Sequence, residues 1–333
     1  MSPASDAMLS VRDLNTVFPS ERGRLHVVRD VSFDLAPGEV LGIVGESGSG
    51  KSVTLRSLVR LHRPPTEITG RVIWNGEDLL RAPERRMQDV RGGEISMIFQ
   101  EPMTALNPVL TVGSQIGESL AEHEDLRGRA ARDRAAELLS LVGIPSPRER
   151  LDAFPHEFSG GMRQRAMIAI ALASRPQLLL ADEPTTALDV TIQDQILKLL
   201  LRLRDQLGMA VILVTHDLGV VAQTCDRVAV MYAGRLVETA PVRELFRAPK
   251  HAYTLGLRRS VPDGGAARTQ LAPIGGSPPD LRSLPPGCPF APRCGFAIDA
   301  CREAEPPLVD VGPDHRSACI RHDVLPAPAG ARS

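Results

Sequence analysis

Residues 45–52 read Gly-Glu-Ser-Gly-Ser-Gly-Lys-Ser. They fit G-x-x-x-x-G-K-[ST], the pattern of a loop that cradles phosphate. Its glycines let backbone N–H groups wrap a phosphate group, and the helix that follows turns its positive end toward it. Lys51 would reach the β- and γ-phosphates of a nucleotide, and the Ser52 hydroxyl would take a place on Mg²⁺. Lysine is scarce elsewhere: Lys51, Lys198 and Lys250 are the only three among 39 basic residues, the rest being arginine. A lysine stands where a compact point charge is wanted.

Four further places could serve the same chemistry. The run Leu178-Leu179-Leu180-Ala181 leads straight into Asp182 and Glu183. An acid at the end of a buried strand is the second magnesium-holding element of such nucleotidases, so Asp182 would hold the ion through water. Glu183 is free to polarise the attacking water. Ile95 to Phe99 is a short apolar run ending in Gln100, a polar residue where open α/β sheets place ligands. Phe158-Ser159-Gly160-Gly161-Met162 opens a helical pattern, a second anion site with free N–H groups and a positive dipole end. Val211 to Val214 leads to Thr215-His216-Asp217, which makes His216 a γ-phosphate contact. An adenine would also need a stacking partner, for which Phe18 and His26 are available; either reads equally well as a loop or core residue.

The elements that position these residues follow from pattern. The apolar run Val40 to Val44 precedes the loop, and a helical pattern from Ser52 to His62 follows it, stopped by Pro64 and Pro65. Residues 8–40 alternate like a small antiparallel sheet with a hairpin at Glu21-Arg22-Gly23, and Val72 to Trp74 adds a strand before the Asn75-Gly76 turn. From about 101 to 165 the character is helical, over Thr111–Glu124 and Leu126–Val142. A long amphipathic helix is expected over Thr191–Leu207, ending at Gly208. Arg227–Tyr232 and Arg235–Thr239 make a closing hairpin through Ala233-Gly234, and a short helix starts at Pro241.

Composition bounds the rest. With 333 residues and a net charge of −1, the chain has ample length for a buried core and no basic field suited to nucleic acid. No apolar run reaches membrane-spanning length, and no secretory signal opens the chain, so a cytoplasmic location is expected.

The last stretch is different. Thirteen of the 28 prolines lie after residue 261, with few long apolar runs. Such a segment is hard put to bury a core of its own and calls for a staple. Four of the five cysteines fall here: Cys288, Cys294, Cys301 and Cys319. Cytoplasmic disulfides are disfavoured on redox grounds. Four thiolates suit zinc or an iron–sulfur cluster, and spacings wider than the usual zinc pairs favour the cluster. Cys225 reads as buried structure.

Taken in order, these residues resemble the ATP-binding subunits of ABC transporters over residues 8–260. The Walker A loop falls at 45–52, the Q-loop at Gln100, the signature at 158–162, the Walker B strand at 178–183, the D-loop at 186–189 and the switch histidine at His216. The signature has Phe158 and Met162 where the family pattern has leucine and glutamine. Pro285-Pro286-Gly287-Cys288-Pro289-Phe290-Ala291-Pro292-Arg293-Cys294 further resembles the C-terminal extension of oligopeptide and dipeptide importer ATPases.

The resemblance implies an α/β P-loop NTPase (RecA-like) core with an N-terminal antiparallel β subdomain, a helical signature subdomain and a small metal-stapled C-terminal extension over 261–325. Residues 1–7 and 326–333 would be flexible ends. It implies ATP bound by Gly45, Ser47, Gly48, Ser49, Gly50, Lys51, Ser52 and Val53. Mg²⁺ would be held by Ser52, Gln100 and Asp182, with catalysis by Glu183, His216 and Gln100. Ser159, Gly160, Gly161 and Met162 would act in trans on a second ATPase subunit, so that ATP is sandwiched between two head-to-tail subunits, and Asp189 would be the D-loop residue. Two transmembrane permease subunits and an extracytoplasmic peptide-binding protein would complete the complex, with this chain peripheral on the cytoplasmic face of the cell membrane. The four cysteines would carry a [4Fe–4S] cluster, with zinc as the alternative. An importer for another small solute such as nickel or a glycoside, or an iron–sulfur-regulated ABC ATPase outside any transporter, remains open at this point.

Overall fold

The computed structural model describes residues 7–20, 23–101, 105–186, 188–260 and 274–326. The chain divides into two compact units, one of residues 1–35, 40–80 and 215–333, the other of residues 36–39 and 81–214.

The first unit carries an antiparallel sheet of four strands. Leu9–Ser20 lies between Gly23–Leu35 and Glu67–Trp74, and the last of these pairs with Glu77–Asp78. Leu9, Val11, Leu14, Val28, Val31 and Leu35 are all fully buried, as alternation requires. Residues 21 and 22 of the expected hairpin lie outside the described residues. In the same unit Val40–Val44 runs parallel to Arg227–Tyr232, which turns through Ala233 and Gly234 at positive φ into Arg235–Pro241. Two positive φ values in a two-residue loop match the twist of a hairpin. The helix after the phosphate loop spans Lys51–Leu58, shorter than the prolines suggest. Arg60 adopts φ 53°, and the Leu61 N–H reaches back to the Arg56 carbonyl at 2.9 Å, so a left-handed residue closes the helix without glycine.

The tail does not match the expectation of a segment without a core. His315–Ser317 pairs with Arg235–Pro241, and Val309–Gly312 pairs outside it, so the tail extends the sheet of the first unit by two strands. Phe290, only 4% exposed, enters a core that includes Val44, Val230, Tyr232 and Tyr253. The three rings sit 4.5–5.4 Å apart between centroids, the range of favourable aromatic pairs. Three polar ties add to this. Arg29 meets Glu305 at 2.6 Å, Arg293 meets Glu46 at 2.6 Å, and the His315 ring bonds the buried Glu238 at 2.7 Å. Packing and strand pairing against the first unit therefore contribute to the order of the tail. A proline-rich segment too poor to build a core borrows one instead.

The second unit holds three parallel strands, Ile95–Ile98, Leu178–Asp182 and Ala210–Thr215, in register from Ile95↔Leu178 and Leu178↔Ala210. Strands covered on both faces read as unbroken apolar runs, and Leu178, Leu179, Leu180 and Ala181 are all at 0% exposure. Helices Val112–His123 and Gly128–Leu141 follow the sequence expectation, the first capped by the Thr111 hydroxyl, which accepts from the Ser114 N–H at 3.2 Å. The helix Val190–Leu207 ends at Gly208, φ 67°. Among the described residues no helix is long and apolar enough to cross a membrane.

Candidate functional site

The phosphate loop leaves the strand Val40–Val44 under tight steric limits. A Cβ at Gly45 would stand 2.2 Å from the Met231 carbonyl oxygen, and one at Gly50 would stand 2.8 Å from that of Val27, at φ 104°. Only glycine fits either place. Ser47 and Gly48 form the exposed crest, while Ser49, Gly50 and Lys51 are buried. Ser52 and Val53 follow in the first turn of the helix, half-buried. The Lys51 ammonium donates to the carbonyls of Gly45 at 2.7 Å and Glu46 at 3.0 Å. The Ser49 hydroxyl is buried with no hydrogen-bond partner among the described residues. A glycine-lined cradle with a buried lysine and a waiting hydroxyl fits a nucleotide phosphate, and the helix end adds its dipole.

Glu46 was passed over by sequence reasoning as a variable position of the loop, yet both its backbone and its side chain are held from outside the loop. Its N–H donates to the Tyr253 hydroxyl at 2.7 Å. Its carboxylate receives Arg293 in two bonds, 2.6 and 2.8 Å. One signal was available: Tyr232 and Tyr253 are the only two tyrosines of the chain, and both stand behind this loop.

In the second unit Gln100 and Glu183 meet. The Gln100 amide donates to the Glu183 carboxylate at 3.3 Å, and the Thr186 hydroxyl donates to the same oxygen at 2.8 Å. Glu183 sits at φ 47° with its N–H bonded to the Val214 carbonyl at 3.0 Å. A left-handed glutamate costs about 1–3 kcal/mol and tends to mark a functional position. Asp182 is at 0% exposure at the end of its strand, an oxygen donor suited to a hard cation. Thr186 was not singled out from sequence, although it stands in the D-loop; Ala187 of that loop lies outside the described residues.

Ser159 caps the helix Gly160–Ala171, its hydroxyl accepting from the Met162 N–H at 3.3 Å, while Gly160 is exposed and Gly161 half-buried. A Cβ at Gly161 would stand 3.0 Å from Ile192. Both departures from the family signature have a place. Phe158 is a core residue at 2% exposure, and Met162 uses only its backbone in the cap. Asp189 caps Val190–Leu207, accepting from the Ile192 N–H at 3.0 Å.

His216, in the first unit, is exposed and directly follows the strand Ala210–Thr215. Asp217 beside it caps the next helix, accepting from the Gly219 N–H at 2.7 Å. Phe18 packs edge-on to His62, and the His26 ring bonds the Asn15 side-chain oxygen at 2.8 Å. Burial, helped by Arg29, lowers the His26 pKa.

The four tail cysteines converge without forming a metal-type group. The Cys288 N–H donates to the Cys301 carbonyl at 2.8 Å, and the Cys294 sulfur accepts from the Phe296 N–H at 3.4 Å. Burial pushes the Cys288 thiol up to about 11, and charge on Cys319 and Cys294 pushes the same way. Among the described residues, no three or more His, Cys, Asp or Glu side chains are arranged to hold a metal ion. Cys225, expected to be buried, is half-buried beside Gly42, and desolvation pushes its thiol up to about 12.

Comparison with known proteins now bears on these features. The family model described as "ABC transporter" matches residues 28–186, and that described as "Oligopeptide/dipeptide transporter, C-terminal region" matches residues 237–301. The chain is 54% identical over 323 residues to the "Probable peptide ABC transporter ATP-binding protein y4tR" of Sinorhizobium fredii, covering 96% of each. It is 51% identical over 320 residues to the "Dipeptide transport ATP-binding protein DppD" of Bacillus subtilis, again covering 96% of each. Among solved structures it resembles the dimeric post-hydrolysis state of the ATP-binding cassette MJ0796 bound to ADP and Pi, with a TM-score of 0.63 at 28% identity, covering 71% of this chain and 99% of that one. With its phosphate loop, its Gln100–Glu183 pair and its capped Ser-Gly-Gly helix, the chain belongs to the ATP-hydrolysing, ATP-binding subunits of the ABC transporters, in the group that carries the oligopeptide/dipeptide C-terminal region.

Proposed function

We propose that this chain powers the uptake of peptides, as the ATPase subunit of an importer on the cytoplasmic face of the cell membrane. The observation that carries this reading is one body holding both the phosphate loop and the C-terminal region, joined through Glu46 and Arg293. The tail is thus part of the machine and not an appendage, and relatives with the same tail are named for peptides.

In this reading Gly45 and Ser47 to Val53 bind ATP. Ser52, Gln100 and Asp182 hold Mg²⁺, which neutralises charge on the transferred phosphoryl group. Glu183 orients the attacking water, and His216 contacts the γ-phosphate. Ser159 to Met162 close on the ATP of a second, related ATPase subunit, and Asp189 belongs to the D-loop. The helical region of about 101–165 couples closure to two permease subunits, which an extracytoplasmic peptide-binding protein supplies. The ATPase domain covers 8–260 and the extension 261–325. The flexible ends proposed at 1–7 and 326–333 fall almost wholly outside the described residues.

The [4Fe–4S] cluster, or zinc, belongs to this proposal as its finer part. It is supported by thiols that lie near one another: Cys288 and Cys319 are each raised first by burial, and neighbouring cysteines of the tail push the same way. Anaerobically purified protein should then be brown, with about four irons per chain; protein free of iron and zinc would remove this part alone.

The whole reading is tested with the complex co-purified from membranes and reconstituted in vesicles. Peptides should stimulate ATP hydrolysis and accumulate inside. Stimulation by nickel or a glycoside, and none by peptides, would replace the substrate while keeping the motor.

A further inference from the structure

The partly buried ion pair between Glu46 and Arg293 links two stretches that lie 247 residues apart in sequence, both in the first unit. One stretch is the phosphate loop, at the residue just before its exposed crest. The other is the cysteine loop of the tail, where Arg293 directly precedes Cys294. The Arg293 side chain is 6% exposed. Its guanidinium lies 6.0 Å from the ring centre of Tyr232 and 5.9 Å from that of Phe290, and it donates to the Tyr232 hydroxyl at 3.3 Å. It also donates to the Gly275 carbonyl at 2.8 Å. The fork is fixed on all sides, with two bonds left for the carboxylate of Glu46.

What Glu46 does for the loop is visible in the same contacts. Its carbonyl is one of the two that receive the Lys51 ammonium, and it also accepts from the Ser49 N–H at 3.2 Å. Tyr253 holds its N–H, and Arg293 holds its side chain. The residue that shapes the turn beneath Lys51 is thus anchored from outside the loop, partly by the tail.

We propose that Arg293 is a positioning residue for ATP binding: through Glu46 it holds the phosphate loop in its nucleotide-ready shape, so that the order of the cysteine loop sets the affinity for ATP. A glycine-rich loop has many conformations to lose. If the ready shape falls to a tenth of the population, apparent affinity falls tenfold, while the site once filled is unchanged. Binding should weaken with little change in turnover at saturation.

The test uses the full-length chain and a fluorescent ATP analogue, together with the ATP dependence of hydrolysis. Arg293→Gln and Glu46→Gln should each raise the Kd and the KM about tenfold and leave kcat within about twofold. Arg293→Lys, which keeps the charge but loses the fork, should fall between. The double variant Glu46→Gln/Arg293→Gln should be no worse than either single one, because both remove one interaction. Limited proteolysis should find the tail still docked, since Glu305 and His315 keep their partners. Tyr253→Phe, nearly isosteric, removes the acceptor of the Glu46 N–H and should also raise the Kd. Unchanged affinity in Arg293→Gln and Tyr253→Phe overturns the proposal, as do losses that add in the double variant. A wild-type chain that binds no ATP would instead overturn the nucleotide reading of the loop itself.

Discussion

Gln100 and Glu183, 83 residues apart, share a hydrogen bond of 3.3 Å at the carboxyl ends of neighbouring parallel strands. Glu183 is fixed there by Thr186 as well, on the same oxygen. Glu183→Gln should keep ATP binding and lose turnover by about a hundredfold or more, as removal of a general base does. Steady-state hydrolysis beside nucleotide binding on the same preparation checks it; near-normal turnover would take Glu183 out of the role. Thr186→Val should have a milder effect, because Gln100 still holds the carboxylate.

Ser159 offers a test of the shared site. Its hydroxyl spends one lone pair on the Met162 N–H, leaving the other for a ligand. In a mixed dimer, Ser159→Arg on one subunit should disable the nucleotide bound to Lys51 of the other. Trapping of labelled nucleotide on tagged subunits distinguishes them, and a defect confined to the mutant's own Lys51 would refute the head-to-tail arrangement.

The tail gives a stability prediction. Phe290→Ala should destabilise the first unit by about 3–5 kcal/mol, the usual range for a buried phenylalanine. Thermal unfolding and protease release of the tail would follow it. A change within about 1 kcal/mol would mean that Phe290 contributes little to the docking.

His251 supplies a pH dependence. It is buried, its ring nitrogen accepts the Tyr253 N–H at 3.1 Å, and burial lowers its pKa to about 4 from 6.5. The folded state therefore resists a proton that the unfolded chain accepts. Below about pH 6.5 stability should fall toward pH 4 by up to about 1.4 kcal/mol per unit, and the loss should level off beneath that. His251→Asn can keep the helix cap without titrating in this range. Its stability curve should be flatter than the wild type's between those values; parallel curves would count against His251.

Much of this was legible in sequence because local pattern decided it. The loop 45–52, the strand ending in Asp182 and the helix start at Ser159 are each set by a few adjacent residues. What was hidden depended on long-range partners. Nothing near Arg293 reveals that its guanidinium meets Glu46, and nothing near Glu238 announces a histidine 77 residues on. The tail was misjudged for the same reason. Phe290 and Ile274 look too few to make a core until they are laid against Tyr232 and Tyr253, which local composition does not report.

The strand His315–Ser317 occupies the flank of Arg235–Pro241, and Glu238, at 0% exposure, accepts hydrogen bonds from Lys250, His251 and His315. A chain cut near residue 260 would lose both the outer strand and the imidazole. It would present an open row of backbone groups, an adhesive margin ready to join a neighbouring molecule. The familiar ATPase portion is therefore not a removable cartridge here: severed from its C-terminal companion, it would be expected to clump before it could work.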